Sequence, residues 1–381
     1  MLIYWIWLAT RQHLNDREKL AVLEYFGTPE DCYFAKVFPD GLSSEAVVSL
    51  QDRDLDEAEK ILAACAKKKI RILTWNDELY PKRLKNIADP PLVLYYRGIL
   101  PDFDSNPTIG VVGTRGASAY GLSAARKLGG EIAACGALVV SGMAEGIDAQ
   151  ATEGALKQGK GAVGVLGCGV DRVYPACNRK LYTTMDQQGC LLSEFPPGTP
   201  PNRWNFPKRN RIISGLSCGV LVVEAPKTSG ALITARQAME QGRDVFVVPG
   251  NIGVDSCEGS NALLRDGAMA VASGWDLLSE YVHIFPEKLR KKAAAATACD
   301  KKAIDIPAAA PYSDVDNCAA EDLDETERLI LSCLGSQRQL MDTIIAKTGL
   351  PAGTALAALT MLEVKGIVAT QPGGWVERTD P

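Results

Sequence analysis

The chain has 381 residues, 46% hydrophobic and 7% aromatic, with 41 Lys and Arg against 46 Asp and Glu for a formal net charge of -5. That composition excludes intrinsic disorder of the whole chain and leaves length for roughly two to three domains at about 150 residues each. The negative balance excludes a uniformly basic nucleic-acid surface, so any phosphate site must arise from local charge placed within about a Debye length of the strand.

Met1 to Thr10 is apolar, but it is about half the length that spans a bilayer and carries no basic leader. It is expected to be a buried helix, with no membrane span. Helical periodicity continues through Leu20, Leu23, Tyr25, Phe26, Ile61 and Leu62 with few strand signals, which predicts a small helical domain over residues 1–100. From Thr108 short β-branched runs alternate with helical stretches. Strands are expected at Ile109–Val112, Leu138–Ser141, Ala162–Leu166, Leu191–Glu194, Val220–Val223 and Val245–Val248, several of them continuously apolar as strands buried on both faces are. Residues 101–285 therefore predict an α/β core with a parallel, doubly wound, Rossmann-like sheet. Glycines close several of these strands, at Gly113, Gly142, Gly167 and Gly250, where ligands sit in open α/β sheets; each taken alone also suits a plain tight turn.

The basic and Ala/Pro-rich stretch that follows predicts a linker over 286–321. Periodicity returns in three helical segments ending near Leu334, Gly349 and Gly366, and a hairpin around Pro372-Gly373-Gly374, a winged-helix-like domain over 322–381. Its third helix has Lys365 as the only basic residue between Thr354 and Gly366, which favours protein interaction over major-groove reading. The eleven cysteines are dispersed and the histidines number two, a pattern of reduced thiols in a cytoplasmic protein without a metal site or other cofactor.

Four segments carry candidate chemistry. Gly110 to Ser118 places a strand end, a turn tipped by Arg115, and a hydroxyl suited to cap the next helix, an arrangement that holds anions. Ser141 to Asp148 ends a strand with small residues, and its acids Glu145 and Asp148 are expected to cap a helix. Pro200 to Gly215 holds Arg203, Trp204, Phe206, Lys208, Arg209, Asn210 and Arg211; between Phe195 and Cys218 there are four basic residues and no acid. Cations interleaved with aromatic faces suit single-stranded nucleic acid, although Trp204 and Phe206 are equally suited to pack beneath the loop. Glu224 to Ala235 supplies another hydroxyl-rich helix start, with Glu224 placed to orient an arginine of the basic segment.

The motifs VVGTR, SGMAEGID, GVDRVYP, FPKRNRIISGLS, SGALITARQAMEQGR and VFVVPGN occur in this order, and together they resemble the DNA processing protein A (DprA/Smf) family. The resemblance implies a SAM or helix-hairpin-helix-like N-terminal domain, an extended Rossmann domain, and a winged-helix-like tail. It implies a non-catalytic protein that binds single-stranded DNA regardless of sequence, protects incoming DNA in natural transformation, helps load the recombinase RecA, and forms a homodimer. Carried onto this sequence, the DNA site comprises Gly113, Thr114 and Arg115 with Lys208, Arg209, Asn210 and Arg211. Arg203 and Phe206, which lie in the variable stretch before Pro207, join them on charge and aromatic character. Two other functions use the same modules. A nucleotide phosphoribohydrolase would need a PGGxGTxxE loop, whose place SGALITARQ takes, and a winged-helix transcription regulator would leave the basic segment unexplained.

Overall fold

The computed structural model of the chain describes residues 1–159, 161–291, 324–334, 339–365, 367–371 and 375–378. The chain forms two units, Met1–Thr297 and Ala298–Pro381.

The first unit opens with five helices: α1 (Leu2–Thr10), α2 (Asp16–Phe26), α3 (Pro29–Phe34), α4 (Ser44–Gln51) and α5 (Asp56–Lys67). Local chemistry starts them. Asn15 and Glu18 form a reciprocal capping box at α2, Thr28 caps α3 ahead of a proline in its first turn, and Ser43 caps α4. The apolar α1 is buried as expected, with Ile6, Trp7 and Leu8 fully covered.

From Arg71 onward the expectation of an all-helical segment is corrected. β1 (Arg71–Thr74), α6 (Lys82–Lys85) and β2 (Val93–Gly98) follow, and β1 pairs antiparallel with β2. The doubly wound core then runs β3 (Thr108–Val112), α7 (Ala119–Ala134), β4 (Leu138–Ser141), α8 (Ile147–Leu156), β5 (Ala162–Val165), α9 (Arg179–Gln188), β6 (Cys190–Ser193), α10 (Asn205–Leu216), β7 (Gly219–Val222), α11 (Gly230–Glu240), β8 (Asp244–Val247), α12 (Glu258–Arg265), β9 (Met269–Ala270) and α13 (Gly274–Leu278). All six expected strands form. The nine-stranded sheet has the order β1-β2-β6-β5-β4-β3-β7-β8-β9, parallel from β6 to β9, with β2 antiparallel to β6.

The chain winds outward from β3 through β4, β5 and β6, then returns to β3's other side for β7, β8 and β9. The strand order therefore reverses between β3 and β7, which opens a crevice at their carboxyl ends. Both faces of the sheet are covered. Ile109, Val111 and Val139 share one core with Leu128 and Ile132 of α7, Ala151 of α8, and the Trp7 layer of the N-terminal helices. Val112, Val140, Val220 and Val222 share the other with Ile212 and Ile213 of α10 and Ala235 of α11. The N-terminal helices are thus continuous with the sheet core through apolar packing.

The first unit also extends past Phe285: Leu289 is buried, and the Arg290 N–H donates to the Cys135 carbonyl at 3.0 Å. The beginning of the expected linker is therefore part of the folded unit, and residues 292–321 of it lie outside the described residues. In the second unit α14 (Glu325–Cys333), β10 (Gln339–Leu340), α15 (Met341–Thr348), α16 (Ala352–Val364), β11 (Val368–Gln371) and β12 (Trp375–Arg378) build the winged-helix pattern, with a sheet of order β10-β12-β11. Ile330, Ile344, Leu359, Leu362 and Val376 form its core. No helix among the described residues is long and apolar enough to cross a membrane.

Candidate nucleic-acid interface

The turn after β3 and the turn after β7 face each other across the crevice, and each begins a helix. Ser118 accepts from the Gly121 N–H to cap α7, and Ser229 accepts from the Ala231 N–H to cap α11, both as the hydroxyls in the sequence led us to expect. Between them lies a cavity of about 360 Å³ whose lining includes Gly113, Thr114, Arg115, Phe206, Ser229 and Gly230. The amino end of α10 closes its side. Helix starts around one cavity present free N–H groups and the positive ends of their dipoles, which suits an anion.

Gly113 stands where the turn presses on its neighbours: a Cβ there would meet the Ile147 side chain at 2.5 Å and the Glu224 carbonyl at 2.9 Å. The Thr114 N–H donates to that same carbonyl at 2.7 Å and so is spent within the fold. Arg115 is exposed, forms no ion pair among the described residues, and holds its guanidinium 5.6 Å from the centroid of the Phe206 ring. Phe206 is half-buried, with Tyr174 packed on it at a centroid separation of 5.5 Å. Arg203 stacks over Trp204 at 4.4 Å, and Trp204 is 72% exposed. The two aromatics of the basic segment thus divide: Phe206 lines the cavity and Trp204 stands in solvent.

The rest of the basic segment turns inward along α10. Arg209 is buried and donates to the carbonyls of Gly142 and Val165, tying α10 to the ends of β4 and β5. Asp148 is buried beside it. Burial pushes the Asp148 carboxyl above its ordinary range against the pull of Arg209, and burial lowers the Arg209 pKa against the pull of Asp148. The pair closes over Gly142, where a Cβ would lie 2.5 Å from the guanidinium and 2.6 Å from the carboxylate, so a residue without a side chain is required there. Asn210 is buried and reaches the Gly230 carbonyl at 3.5 Å.

Arg211 is 3% exposed and paired with three carboxylates, Glu194 at 2.7 Å, Asp16 at 2.9 Å and Asp89 at 2.9 Å. Burial alone would lower its pKa, and the three acids together outweigh that and raise it. Its expected role as an exposed phosphate contact is corrected on this geometry. Lys208 shares the cluster, 2.8 Å from Asp16 and 3.3 Å from Glu194, with its side chain 44% exposed. Of the nine residues expected at the site, the structure gathers Gly113, Thr114, Arg115 and Phe206 at the cavity mouth, leaves Arg203 and part-exposed Lys208 at the surface, and buries Arg209, Asn210 and Arg211 as internal ties, the first two still lining the cavity wall.

Two further expectations change. Asp148 does not cap α8: it accepts from the Gly142 and Ala144 N–H groups at 3.1 and 3.4 Å, while Gly146, with φ 78°, stands at the cap position. Glu224 orients no arginine among the described residues; it accepts from the Ser118 N–H and hydroxyl, the latter at 2.8 Å. The acids that do hold α10, Asp16, Asp89 and Glu194, and the aromatic Tyr174 were not singled out from sequence. Tyr174 had a signal, since it stands inside the GVDRVYP motif.

The fold and crevice define a doubly wound α/β protein with a polar cavity at its switch point and a separate winged-helix unit. Residues 71–282 match the DNA recombination-mediator protein A family, and residues 317–374 match the DprA winged helix domain. The chain is 37% identical over 317 residues to Protein Smf of Synechocystis sp., covering 80% of this chain and 79% of that one. It is 39% identical over 241 residues to DNA processing protein DprA of Bacillus subtilis, covering 63% and 81%. The X-ray structure of DNA processing protein A from Streptococcus pneumoniae superposes with a TM-score of 0.62 at 35% identity, covering 74% of this chain and 98% of that one. A structure of DNA processing protein A from Helicobacter pylori, described for its unique single-stranded DNA binding mode, gives 0.52 at 30% identity, covering 57% and 97%. The chain belongs to the DprA/Smf family of DNA-processing proteins.

Proposed function

We propose that this protein binds the backbone of single-stranded DNA along the β3–β7 crevice, as a homodimer in the cytoplasm, protects DNA entering by transformation, and helps pass it to RecA. It acts by binding and not by catalysis. The observation that carries the site is Arg115: an exposed guanidinium with no ion pair among the described residues, seated on Phe206 at the mouth of a cavity bordered by the amino ends of α10 and α11. A charge left uncompensated in a chain of net negative charge is suited to a phosphate, and the adjacent ring to a base. Gly113 and Thr114 shape this turn, while Arg203 and Lys208 extend the positive rim. Arg209, Asn210 and Arg211 serve by holding α10 in place.

The acids near the crevice support binding over chemistry, because Asp148 and Glu224 are each occupied with backbone amides and so are not poised as general acid and base. The winged-helix unit fits a protein-binding role: Lys365, the one basic residue of its third helical segment, is paired with Glu327 at 2.7 Å. Titration of the full-length protein with a fluorescent oligothymidine, the matching duplex, and AMP tests the proposal. Salt-sensitive preference for the single strand supports it; preference for duplex, or binding of the mononucleotide alone, overturns it.

A further inference from the structure

The helical layer at the start of the chain leaves an aromatic face uncovered, and none of the crevice motifs contributes to it. Tyr25 in the last turn of α2, Phe34 at the end of α3 and Val37 in the loop that follows are 65%, 64% and 78% exposed. Large apolar side chains held together in water are unfavourable, and their grouping marks a surface that a partner covers. We propose that this face docks another protein through a basic segment that carries aliphatic side chains between its lysines or arginines. The proposal does not depend on the strand-binding reading and adds a separate contact to it.

The exposed side chains stand on one run of aromatic contacts. Phe34 meets the Tyr33 ring edge-on at a centroid separation of 5.1 Å, and the Arg53 guanidinium lies 5.2 Å from Tyr33 and 6.0 Å from Phe38. Phe38, next to Val37 in the chain, meets Phe26 at 5.9 Å, and Phe26 meets Tyr25 at 4.9 Å. Arg53 is fixed in turn: it donates to the carbonyls of Leu50 and Ala35, and its own carbonyl accepts from the Tyr33 hydroxyl at 2.8 Å. Gly27, with φ 81°, ends α2 immediately after Phe26 and lets the chain turn into α3. Rings supported in this way lose little freedom on binding, which is what an interface anchor requires.

Charge selects the occupant. Between Glu24 and Asp40 the sequence holds four acids and one base, Lys36. Glu24 is next to Tyr25, Asp31 stands about one turn before Phe34, and Asp40 is two residues after Phe38. All three are exposed and form no ion pair among the described residues. Single-stranded nucleic acid also stacks on aromatics, but it needs cations beside them, and these carboxylates repel its phosphates. A second copy of the same face would set like charges against like. A basic segment with aliphatic side chains satisfies both features, its apolar groups covering the rings and its cations meeting the acidic rim.

The test uses full-length protein and three labelled probes: a synthetic amphipathic helix of leucine and lysine, the same helix with glutamate in place of lysine, and an oligothymidine. The lysine helix is expected to bind and the glutamate helix not to. In Tyr25→Ser/Phe34→Ser, which keeps every charge, affinity for the lysine helix is expected to fall by at least about tenfold, the loss that follows truncation of interface anchors. Oligothymidine affinity is expected to stay at the wild-type level. Val37→Ser, a single change in a loop, is expected to give a smaller loss in the same direction and carries the test should the double variant fail to fold. No binding of the lysine helix, equal binding of the glutamate helix, or equal affinity in wild type and variants overturns the docking face. A double variant that loses oligothymidine binding, or loses self-association in sedimentation, assigns the face to nucleic acid or to a second copy and overturns it as well.

Discussion

Arg115 and Arg211 are the same residue type, and both belong to motifs that point to phosphate, yet the fold uses them in opposite ways. Arg115 stands exposed at a strand-end turn, its guanidinium against the Phe206 ring and in no ion pair among the described residues. Arg211 is enclosed by Asp16 from the N-terminal helices, Asp89 from the α6–β2 connection and Glu194 from the end of β6. The first keeps its charge available to a ligand. The second spends it on pinning α10 beneath the N-terminal layer, where leaving either sign unpaired would be costly.

This contrast is broken most forcefully at Arg211. Arg211→Ala leaves three carboxylates facing one another with only Lys208 and Lys19 near them, and is expected to cost about 3–5 kcal/mol of stability, as removal of one partner from a buried ion cluster does. Denaturant unfolding measures it, and an unchanged midpoint would show that the cluster does not hold the layers together. Arg115→Ala is expected to do the reverse, weakening oligothymidine binding by about 1–3 kcal/mol with the thermal midpoint unaltered. Its binding should also lose about 0.7 from the slope of log affinity against log salt, the share of one phosphate on a single strand. Equal affinity and slope in mutant and wild type would remove Arg115 from the interface.

Acid offers a gentler probe of the Arg211 corner. Burial alone would raise the Asp16 pKa, but Lys208 and Arg211 together bring it below the ordinary value of 3.8. A depressed folded pKa contributes stability that is present above the unfolded value and lost as pH falls through the folded one. Wild-type stability should therefore drop as pH falls below 3.8, and Asp16→Asn, less stable at neutral pH, should show a shallower acid limb; parallel limbs would separate Asp16 from the cluster. The smallest effect is expected from removing everything after residue 291. The crevice and both arginines lie in the first unit, so strand affinity should change little, and a large loss would shift recognition to the winged-helix unit.

Much of the fold was legible from local pattern. Strands β3 to β8 are short apolar runs because both faces of the sheet are covered, and Ser118, Ser229 and Asn15 mark helix starts because a side-chain oxygen there satisfies a free N–H. β1 and β2 escaped notice for a related reason. They sit outside the parallel winding, and β2 finds its second neighbour in β6, where Tyr96 lies opposite Leu192, so no local period announces the pairing. The site was legible to the same depth. The turns at Gly113 and Ser229 follow from strand ends and caps, and Phe206 follows from the aromatic placed among cations.

The sequence by itself determined which segments become strands β3 to β8, where their glycine turns fall, and hence that a crevice with basic residues near it would form. Only the tertiary structure decided which of those bases remain charged toward solvent. Arg211 takes its partners from 17, 122 and 195 residues away, so its neutralisation is a fact of packing and not of neighbourhood in the chain. Arg115 is set apart by forming no ion pair among the described residues, and that leaves no mark on the local sequence, because electrostatic pairing depends on distance after folding and not on separation along the backbone.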